Sequence, residues 1–322
     1  MIKKSECNIE KKISFVIPCY CSTDSLRTVV QEISNLMIGS LYDFEVILVN
    51  DGSPDERTIQ IIKKIINDFE NIIGVDLAKN FGQHSTYMAG YHHVSGDYII
   101  CLDDDGQNPP SEVFKLIDKL ENGYDAVYGS YKYKKHSFLR NIGSSVNEMM
   151  ARILVGKPKN LYISSFFGMK RFIVDEIVKY KNPYSYVLGL ILRSTNRITC
   201  VEVEHKSREV GQSGYNMRKL FALWLDGFTA FSVKPLRMAT YIGLFSSFFG
   251  FLFAFYLTIE RIMRPEFVQG WTSIMATMLI LGGFILFTLG LLGEYVGRSY
   301  ISLNNSPQFV VRETITKAEG EV

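Results

Sequence analysis

Strand-length apolar runs alternate with helical patterns through the first two thirds of the chain. The runs that predict strands are 13–20 (ISFVIPCY), 44–50 (FEVILVN), 72–77, 98–102 (YIICL) and 125–131. The segments between them carry apolar residues at i, i+3 and i+4, and they predict helices over 25–37, 56–69, 83–94 and 111–121. Such alternation is typical of βαβ units. We therefore expect an α/β fold with a mostly parallel sheet and helices on both of its faces.

Two long uncharged runs follow nearer the end of the chain. No residue is charged from Ala239 to Ile259 or from Phe267 to Gly293. Each run reaches the roughly 20 residues that a helix needs to cross a bilayer core. A pair of buried core helices is the alternative, but aromatic-rich runs of this length favour the membrane. We expect a hairpin over 236–295 with spans at about 239–259 and 271–293, so that both of its flanks face the same side.

Basic residues are more numerous beside the two spans than in the turn between them. Arg218, Lys219, Lys234 and Arg237 precede the first span, and Arg298 follows the second. The turn holds only Arg261 and Arg264, which Glu260 and Glu266 offset. The positive-inside rule then favours a cytoplasmic domain over 1–215 and a cytoplasmic tail over 296–322. Segment 216–235 places Leu220, Leu223, Trp224, Phe228 and Phe231 near one helical face. This pattern predicts an interfacial helix in the headgroup plane, with a core helix of the soluble domain as the alternative.

Composition narrows the classes of protein that fit. Of the 322 residues, 47% are hydrophobic and 21% are charged, which excludes a disordered chain. A net charge of +2 gives no basic field for binding nucleic acid. The five cysteines lack the paired spacing of a zinc site, so reduced thiols are expected.

Acidic side chains cluster directly after the fourth predicted strand. Asp103, Asp104 and Asp105 are consecutive, and Asp51 follows the second strand. In parallel sheets ligands bind at the carboxyl ends of the strands, so these residues are expected on one rim. Adjacent carboxylates repel one another, and Mg²⁺ or Mn²⁺ would relieve that repulsion. A solvated acidic turn that caps the next helix is the alternative. The chain contains no G-x-G-x-x-G after its first strand and no P-loop, which disfavours a dinucleotide-binding Rossmann domain and a P-loop NTPase.

Together these motifs resemble the inverting family-2 glycosyltransferases, which have the GT-A fold. Within that family the chain is similar to the polyisoprenyl-phosphate glycosyltransferases, the group of dolichol-phosphate mannose synthase and the bactoprenol glucosyl- and aminoarabinosyltransferases. The matching segments are VIPCY (16–20), VNDGS (49–53), KNFGQH (79–84), DDDGQNPP (103–110), R-x-x-G-x-S (208–213) and GEYVGRSY (293–300). The resemblance covers nearly the whole chain and keeps the order of the motifs.

The resemblance implies roles for individual residues. Those assigned to the nucleotide sugar are Pro18, Tyr20, Asp51, Lys79, Asp103 and Asp104. Asp103, Asp105 and Gln107 would ligate Mg²⁺ or Mn²⁺. Phosphate and acceptor contacts would come from Arg140, Arg208 and Ser213, and the residues assigned to catalysis are Asp105 and Arg208. Segment 163–170 lacks the carboxylate that many relatives carry there, so no general base is expected in it.

The implied activity is transfer of a sugar from a nucleotide sugar, with a UDP-sugar favoured, to undecaprenyl phosphate. The implied location is the cytoplasmic face of a bacterial inner membrane, where the partners are the nucleotide sugar, the polyprenyl phosphate and the bilayer. Assembly into a homo-oligomer stays open, as do the sugar and the choice between UDP and GDP. Two alternatives remain: an enzyme resembling processive polysaccharide synthases, and a membrane scaffold or lipid-carrier binding protein with an inactive domain.

Overall fold

A computed structural model describes residues 11–131, 158, 161–204, 234–263, 270–304 and 306–317. The chain divides into two compact units. The first comprises 1–215 together with 306–322, and the second comprises 216–305. The first unit therefore contains residues from both sides of the second unit in the sequence.

The first unit is built from eight strands and six α-helices within the described ranges. Its elements in chain order are β1 (Lys12–Cys19), α1 (Ser25–Met37), β2 (Asp43–Asn50), α2 (Arg57–Asp68), β3 (Ile72–Leu77), α3 (Gln83–Tyr91), β4 (Tyr98–Cys101), α4 (Val113–Glu121), β5 (Ala126–Tyr131), β6 (Phe167–Lys170), α5 (Arg171–Ile177), α6 (Val187–Ser194), β7 (Ile198–Val203) and β8 (Val311–Thr316). A short 3₁₀ turn over Pro110–Glu112 leads into α4.

All eight strands form one sheet in the order β7-β5-β6-β4-β1-β2-β3-β8. The centre is parallel, because β1 pairs with β2 and β4, and β2 pairs with β3, in the same direction. Strand β6 runs antiparallel to both of its neighbours, β4 and β5. Strand β8 closes the other edge antiparallel to β3. The beginning of β6 therefore lies at the same rim as the end of β4.

The two faces of the sheet pack against different helices. Phe15 and Ile17 in β1 belong to the large buried core, which includes Leu26 of α1, Ile62 of α2 and Leu116 of α4. Helix α3 packs on β1 and β2. Successive side chains of a strand point to opposite faces, so continuous apolar runs are needed where both faces are covered. The prediction of an α/β sheet with helices on both faces is confirmed.

The five predicted strands and four predicted helices are all present, with small differences at their ends. The largest difference is in α3, which was predicted to extend to Val94 but ends at Tyr91. Just beyond it, the carboxylate of Glu45 accepts hydrogen bonds from the backbone and hydroxyl of Ser95, and Gly96 N–H donates to Ser14 Oγ. These bonds fix an irregular connection to β4 and end the helix.

The second unit contains two long helices, α7 (Lys234–Met263) and α8 (Trp271–Leu303). Large apolar side chains are exposed along both, among them Phe245, Phe249, Phe253, Leu286 and Phe287. Among the described residues, one stretch, Ile280–Leu303, is long and apolar enough to cross a membrane by length and composition. The pair of spans at 239–259 and 271–293 therefore stays a prediction. The predicted interfacial helix over 216–235 lies almost entirely outside the described residues.

Candidate active site

The segments that follow β1 and β2 lie side by side at the rim of the sheet, the edge formed by the carboxyl ends of the parallel strands. The backbone N–H of Cys21 donates to Ser53 Oγ at 3.0 Å. Ser53 in turn donates its hydroxyl to Asn50 Oδ1 at 2.6 Å. Parallel pairing places Cys19 opposite Asn50 at the ends of the two strands. The two loops that the sequence assigned to the nucleotide are therefore neighbours, and the Ser53 hydroxyl links the Cys21 backbone to the Asn50 side chain.

Asp51 is buried behind this rim and binds the loop that precedes α3. Its carboxylate accepts the N–H of Phe81 at 2.7 Å and the N–H of Gly82 at 3.0 Å. Burial raises the pKa of Asp51, and the two backbone donors oppose that rise. Each carboxylate oxygen can accept a second hydrogen bond. The carboxylate that the sequence assigned to the nucleotide also holds together the ends of β2 and β3.

Lys79 lies exposed on the loop that Asp51 holds. Its Nζ lies 5.1 Å from the centre of the Phe81 ring. The backbone of Lys79 is packed so closely on Gly52 that a Cβ at Gly52 would lie 2.1 Å from the Lys79 carbonyl carbon. The φ of +54° at Gly52 is also unfavourable for other residues. A glycine is therefore required at position 52 both by the close approach of the Lys79 backbone and by the positive φ of the turn.

The consecutive carboxylates after β4 have separate partners. Asp104 accepts the hydroxyl of Ser22, and the Asp104 carbonyl accepts the hydroxyl of Ser25 at 3.0 Å. Asp105 accepts the N–H of Gln107 at 3.1 Å within its own turn. Asp104 is therefore hydrogen-bonded to the segment after β1, whereas Asp105 is hydrogen-bonded within its own turn. Residues 103–107 are called the acidic turn below.

Asp103 is oriented from a third direction. Ser165 Oγ, just before β6, donates to its Oδ2, and Gln83 Nε2, at the start of α3, donates to its Oδ1 at 3.2 Å. Strand β6 pairs antiparallel with β4, which places the start of one beside the end of the other. Sequence reasoning gave Ser165 and Ser22 no role. Only the antiparallel direction of β6 could have pointed to Ser165.

His84 lies on the first turn of α3, directly after Gln83 in the chain. Its ring packs edge-on against Tyr186, with 5.0 Å between ring centres. Nδ1 is buried and has no hydrogen-bond partner within the described residues. Burial lowers the pKa of His84 to about 4, so the ring is neutral at neutral pH. A neutral ring in an aromatic contact acts as a packing residue of this helix.

The donor set of the acidic turn suits a hard divalent cation. Carboxylate oxygens are the ligands that Mg²⁺ and Mn²⁺ prefer. Within the described ranges, no group of three or more Asp, Glu, His or Cys side chains is arranged to hold a metal ion. Magnesium commonly binds through one or two carboxylates plus the phosphates of a substrate. Asp103 and Asp105 therefore fit such a cation by the chemistry of their oxygens, as parts of a site that a nucleotide would complete.

Most of the predicted nucleotide and metal residues meet on this rim. Pro18 lies in β1 opposite Val49, and Tyr20 follows the strand with 51% of its surface exposed. The contacts described above connect the remaining residues of the prediction, which are Asp51, Lys79, Asp103, Asp104, Asp105 and Gln107. The three predicted phosphate and acceptor residues, Arg140, Arg208 and Ser213, lie outside the described residues.

Two family models match separate parts of the chain. Residues 14–178 match the model described as glycosyl transferase family 2. Residues 234–299 match the model described as the GtrB C-terminal hairpin. The first match runs from β1 to α5 and includes Asp103–Asp105 and Ser165, and the second covers α7 and most of α8.

Curated relatives match almost the full length. An undecaprenyl-phosphate 4-deoxy-4-formamido-L-arabinose transferase from Yersinia enterocolitica is 33% identical over 320 residues, which is 98% of each chain. The enzyme of the same name from Serratia proteamaculans is 33% identical over 95% of this chain and 94% of its own.

Solved structures share the fold at low sequence identity. Glucosyl-3-phosphoglycerate synthase from Mycobacterium tuberculosis, in complex with Mn²⁺, UDP-glucose and phosphoglyceric acid, has a TM-score of 0.51 and 16% identity. That match covers 68% of this chain and 79% of the solved one. The likeness is one of fold. The family model over 14–178 and the full-length relatives show that this chain, with its rim at the ends of β1, β2 and β4, belongs to glycosyl transferase family 2.

Proposed function

We propose that the protein transfers a single sugar, with inversion, from a nucleotide sugar to undecaprenyl phosphate. A UDP-sugar is the favoured donor, and the cytoplasmic membrane face is the favoured place. The names of the full-length relatives support the acceptor. The presence of UDP-glucose and Mn²⁺ in a protein of the same fold is consistent with the donor. The observation that carries the proposal is the continuous rim on which the loops after β1, β2, β3 and β4 are hydrogen-bonded to one another.

In this proposal the donor lies along that rim. Tyr20 and the Asp51 loop would contact the nucleoside, with Lys79 beside it. Asp103 and Asp104 would lie along the ribose and the diphosphate. Their serine partners, Ser165 and Ser22, fix the orientation of each side chain before the donor binds. Such preorganisation lowers the cost of ordering the site when the ligand arrives.

A divalent cation, Mg²⁺ or Mn²⁺, would supply neutralisation of the charge that develops on the departing nucleoside diphosphate. Asp103 and Asp105 would hold it, with Gln107 nearby on the same turn. The backbone N–H of Gln107 already donates to Asp105, which fixes that carboxylate toward its own turn.

The acceptor in this proposal needs little activation. A phosphate monoester has its second pKa near 6, so it is largely ionised at neutral pH. One of its oxygens attacks the anomeric carbon as the bond from that carbon to the diphosphate breaks, and the electron pair leaves with the nucleoside diphosphate. No proton has to be removed from the acceptor, which agrees with the absence of a carboxylate over 163–170. Positioning then accounts for most of the rate. Arg140, Arg208 and Ser213 are the residues proposed to bind the phosphates.

The apolar helices support a membrane-bound acceptor. The stretch Ile280–Leu303 has the length and composition of a span, and the large side chains of α7 are exposed. We propose that α7 and α8 form a two-helix hairpin in the inner membrane, preceded by an interfacial segment over 216–235. The basic flanks of the hairpin favour a cytoplasmic site.

A donor and acceptor screen tests this proposal. Full-length protein in detergent would be given labelled UDP-sugars and GDP-sugars, each with undecaprenyl phosphate or with undecaprenol. The expected result is a labelled lipid with the phosphate acceptor, with Mn²⁺ or Mg²⁺ present, and none with the alcohol. Asp105→Asn should abolish the product. Asp118→Asn, which changes an exposed carboxylate on α4, should retain it.

Three results would refute the proposal. Transfer to undecaprenol at the same rate as to the phosphate would indicate a hydroxyl acceptor. Binding of undecaprenyl phosphate with no transfer or hydrolysis of any nucleotide sugar would favour the scaffold alternative. A product that contains many sugars would instead support a processive synthase.

A further inference from the structure

Strand β8 follows the last long helix of the chain and completes the edge of the sheet beside β3. We propose that Arg312 on this strand is a positioning residue, which holds the Asn50–Ser53 turn in its nucleotide-binding geometry through the buried side chain of Asp76. The inference rests on the proposed function insofar as it takes that turn to bind a nucleotide. It assigns part of the donor subsite to residues that follow the membrane hairpin in sequence.

The first link joins the edge strand to a buried carboxylate. Asp76 near the end of β3 is only 3% exposed. Its Oδ2 accepts a hydrogen bond from the Arg312 guanidinium at 3.0 Å, and its Oδ1 accepts one from Asn50 Nδ2 at 2.7 Å. A buried carboxylate is strongly unfavourable without a charged partner. Within the described residues, Arg312 is the cation paired with Asp76.

The second link runs from Asn50 to the turn itself. An ionised carboxylate can only accept hydrogen bonds, so Asp76 requires the NH₂ group of Asn50 to face it. The carbonyl oxygen of Asn50 must then face the turn, where it accepts the hydroxyl of Ser53 at 2.6 Å and the N–H of Ser53 at 3.3 Å. Ser53 Oγ also accepts the N–H of Cys21. The orientation of one amide group therefore sets the hydrogen bonds of the rim.

A second path of contact reaches the same turn through the backbone. The other guanidinium nitrogen of Arg312 donates to the carbonyl of Ala78 at 3.0 Å. The N–H of Ala78 donates to the carbonyl of Val310 at 2.9 Å. The next residue, Lys79, is the one whose backbone packs against Gly52. Arg312 thus holds both sides of the interface between the Asn50–Ser53 turn and the segment after β3.

Arg312 itself is 61% exposed on an edge strand, so its loss removes little packing from the core and acts mainly on Asp76. Asp76, in contrast, would keep its burial and lose its charged partner. Rotation of the Asp76 side chain toward water would restore its solvation. That rotation removes the reason for Asn50 to present its oxygen to Ser53, and the turn loses its fixed geometry.

The experiment compares variants of the full-length protein in detergent, with UDP and Mn²⁺ as the probe in calorimetric titrations. Arg312→Met removes the charge and the donors but keeps the length of the side chain. It should weaken UDP binding about fivefold to tenfold, equivalent to roughly 1–1.4 kcal/mol. Arg312→Lys should recover part of the loss, because it restores the charge without the two-pronged geometry.

Two controls on the same strand separate positioning from a general loss of stability. Glu313→Gln breaks the surface ion pair with Lys63 and should leave UDP binding unchanged. Ile315→Ala loosens the packing of the strand on the core and should lower the melting temperature without a matching change in UDP affinity. If Arg312→Met were no different from Glu313→Gln, or if Ile315→Ala weakened binding to the same degree, the inference would be wrong.

A readout without nucleotide keeps this inference separate from the proposed function. Hydrogen exchange of the peptide that contains Asn50–Ser53 should be faster in Arg312→Met than in the wild type, and unchanged in Glu313→Gln. If the wild type bound neither UDP nor GDP, the proposed function would fail, and the exchange comparison would still decide whether Arg312 orders this turn. Equal exchange in all three proteins would overturn the inference.

Discussion

Ser165 donates a hydrogen bond to the carboxylate of Asp103 across the junction between β6 and β4. The contact exists because β6 is antiparallel to β4, which brings the loop before one strand to the end of the other. It joins the acidic turn to a segment that contains no carboxylate of its own. Ser165 is a positioning residue for Asp103 in the proposed donor site.

We expect Ser165→Ala to reduce kcat/KM for the nucleotide sugar about tenfold, since a hydrogen bond to a charged group is worth roughly 1.5–3 kcal/mol before relaxation. The loss should lie mainly in KM or in the Mn²⁺ requirement, which initial-rate kinetics at varied donor and metal would measure. Ser164→Ala is the matched control, because Ser164 donates to the carbonyls of Gly129 and Phe166 rather than to the acidic turn. A larger kinetic defect in the control would contradict the role of Ser165.

Removal of one acidic ligand should be seen in metal binding before any assay of transfer. We expect Asp105→Asn to weaken Mn²⁺ binding in the presence of UDP by at least tenfold, because the amide carries no negative charge and keeps only one ligating oxygen. Electron paramagnetic resonance of free Mn²⁺ measures this directly. Asp118→Asn should bind Mn²⁺ like the wild type. Unchanged Mn²⁺ affinity in Asp105→Asn would remove that residue from the proposed site.

Gly52 should tolerate no side chain. In Gly52→Ala the added Cβ would meet the Lys79 backbone, and the positive φ adds a penalty of about 1 kcal/mol or more. We expect a loss of about 2–4 kcal/mol in unfolding free energy, or loss of UDP binding if the turn moves instead. Gly39→Ala is the control: its φ is +80°, but no atom lies within 4 Å of the added Cβ. Calorimetric melting of both variants separates the steric clash from the backbone penalty. Equal losses of unfolding free energy in the two variants would refute the clash with Lys79.

His84 should give the profile of stability against pH an acid limb, in which stability falls as the pH decreases. Its pKa of about 4 is lower than the usual value of 6.5, so the stabilisation is complete above pH 6.5 and is lost as the pH falls toward 4. The loss amounts to at most about 3 kcal/mol. Melting temperatures across this range should fall less steeply in His84→Phe and in His84→Gln than in the wild type. His93→Gln, at a more exposed position, should change the slope less. A slope that survives both His84 variants would assign the acid limb to other groups.

The sequence was sufficient for the first five strands and for the helices between them. Strands β1 and β2 are buried on both faces and appear as continuous apolar runs, while α1, α2 and α4 repeat their apolar residues at helical spacing. Local patterns of this kind follow directly from burial. The shared rim of Asp51 and Asp103–Asp105 follows from the sequence because the ends of parallel strands meet at one edge.

The strands that sequence reasoning missed depend on pairing between distant segments. Strand β6 has only four residues, and its neighbours are β4 and β5. Strand β8 (VRETIT) is polar and mostly exposed, as suits an edge strand, and therefore lacks the apolar alternation that would reveal it. The contacts of Ser165 and Arg312 follow from these pairings, so no local pattern could predict them.

The position of β8 in the chain has a consequence for synthesis of the protein. Chains fold progressively from the N-terminus as they emerge, and here the last strand of the sheet is made after both long helices. Until it arrives, β3 has an unpaired edge, and Asp76 lacks the guanidinium that pairs with it in the finished fold. A chain that stops near Tyr215 would remain in this unfinished state. The nascent protein therefore completes the proposed nucleotide-binding rim only after both long helices, α7 and α8, have left the ribosome.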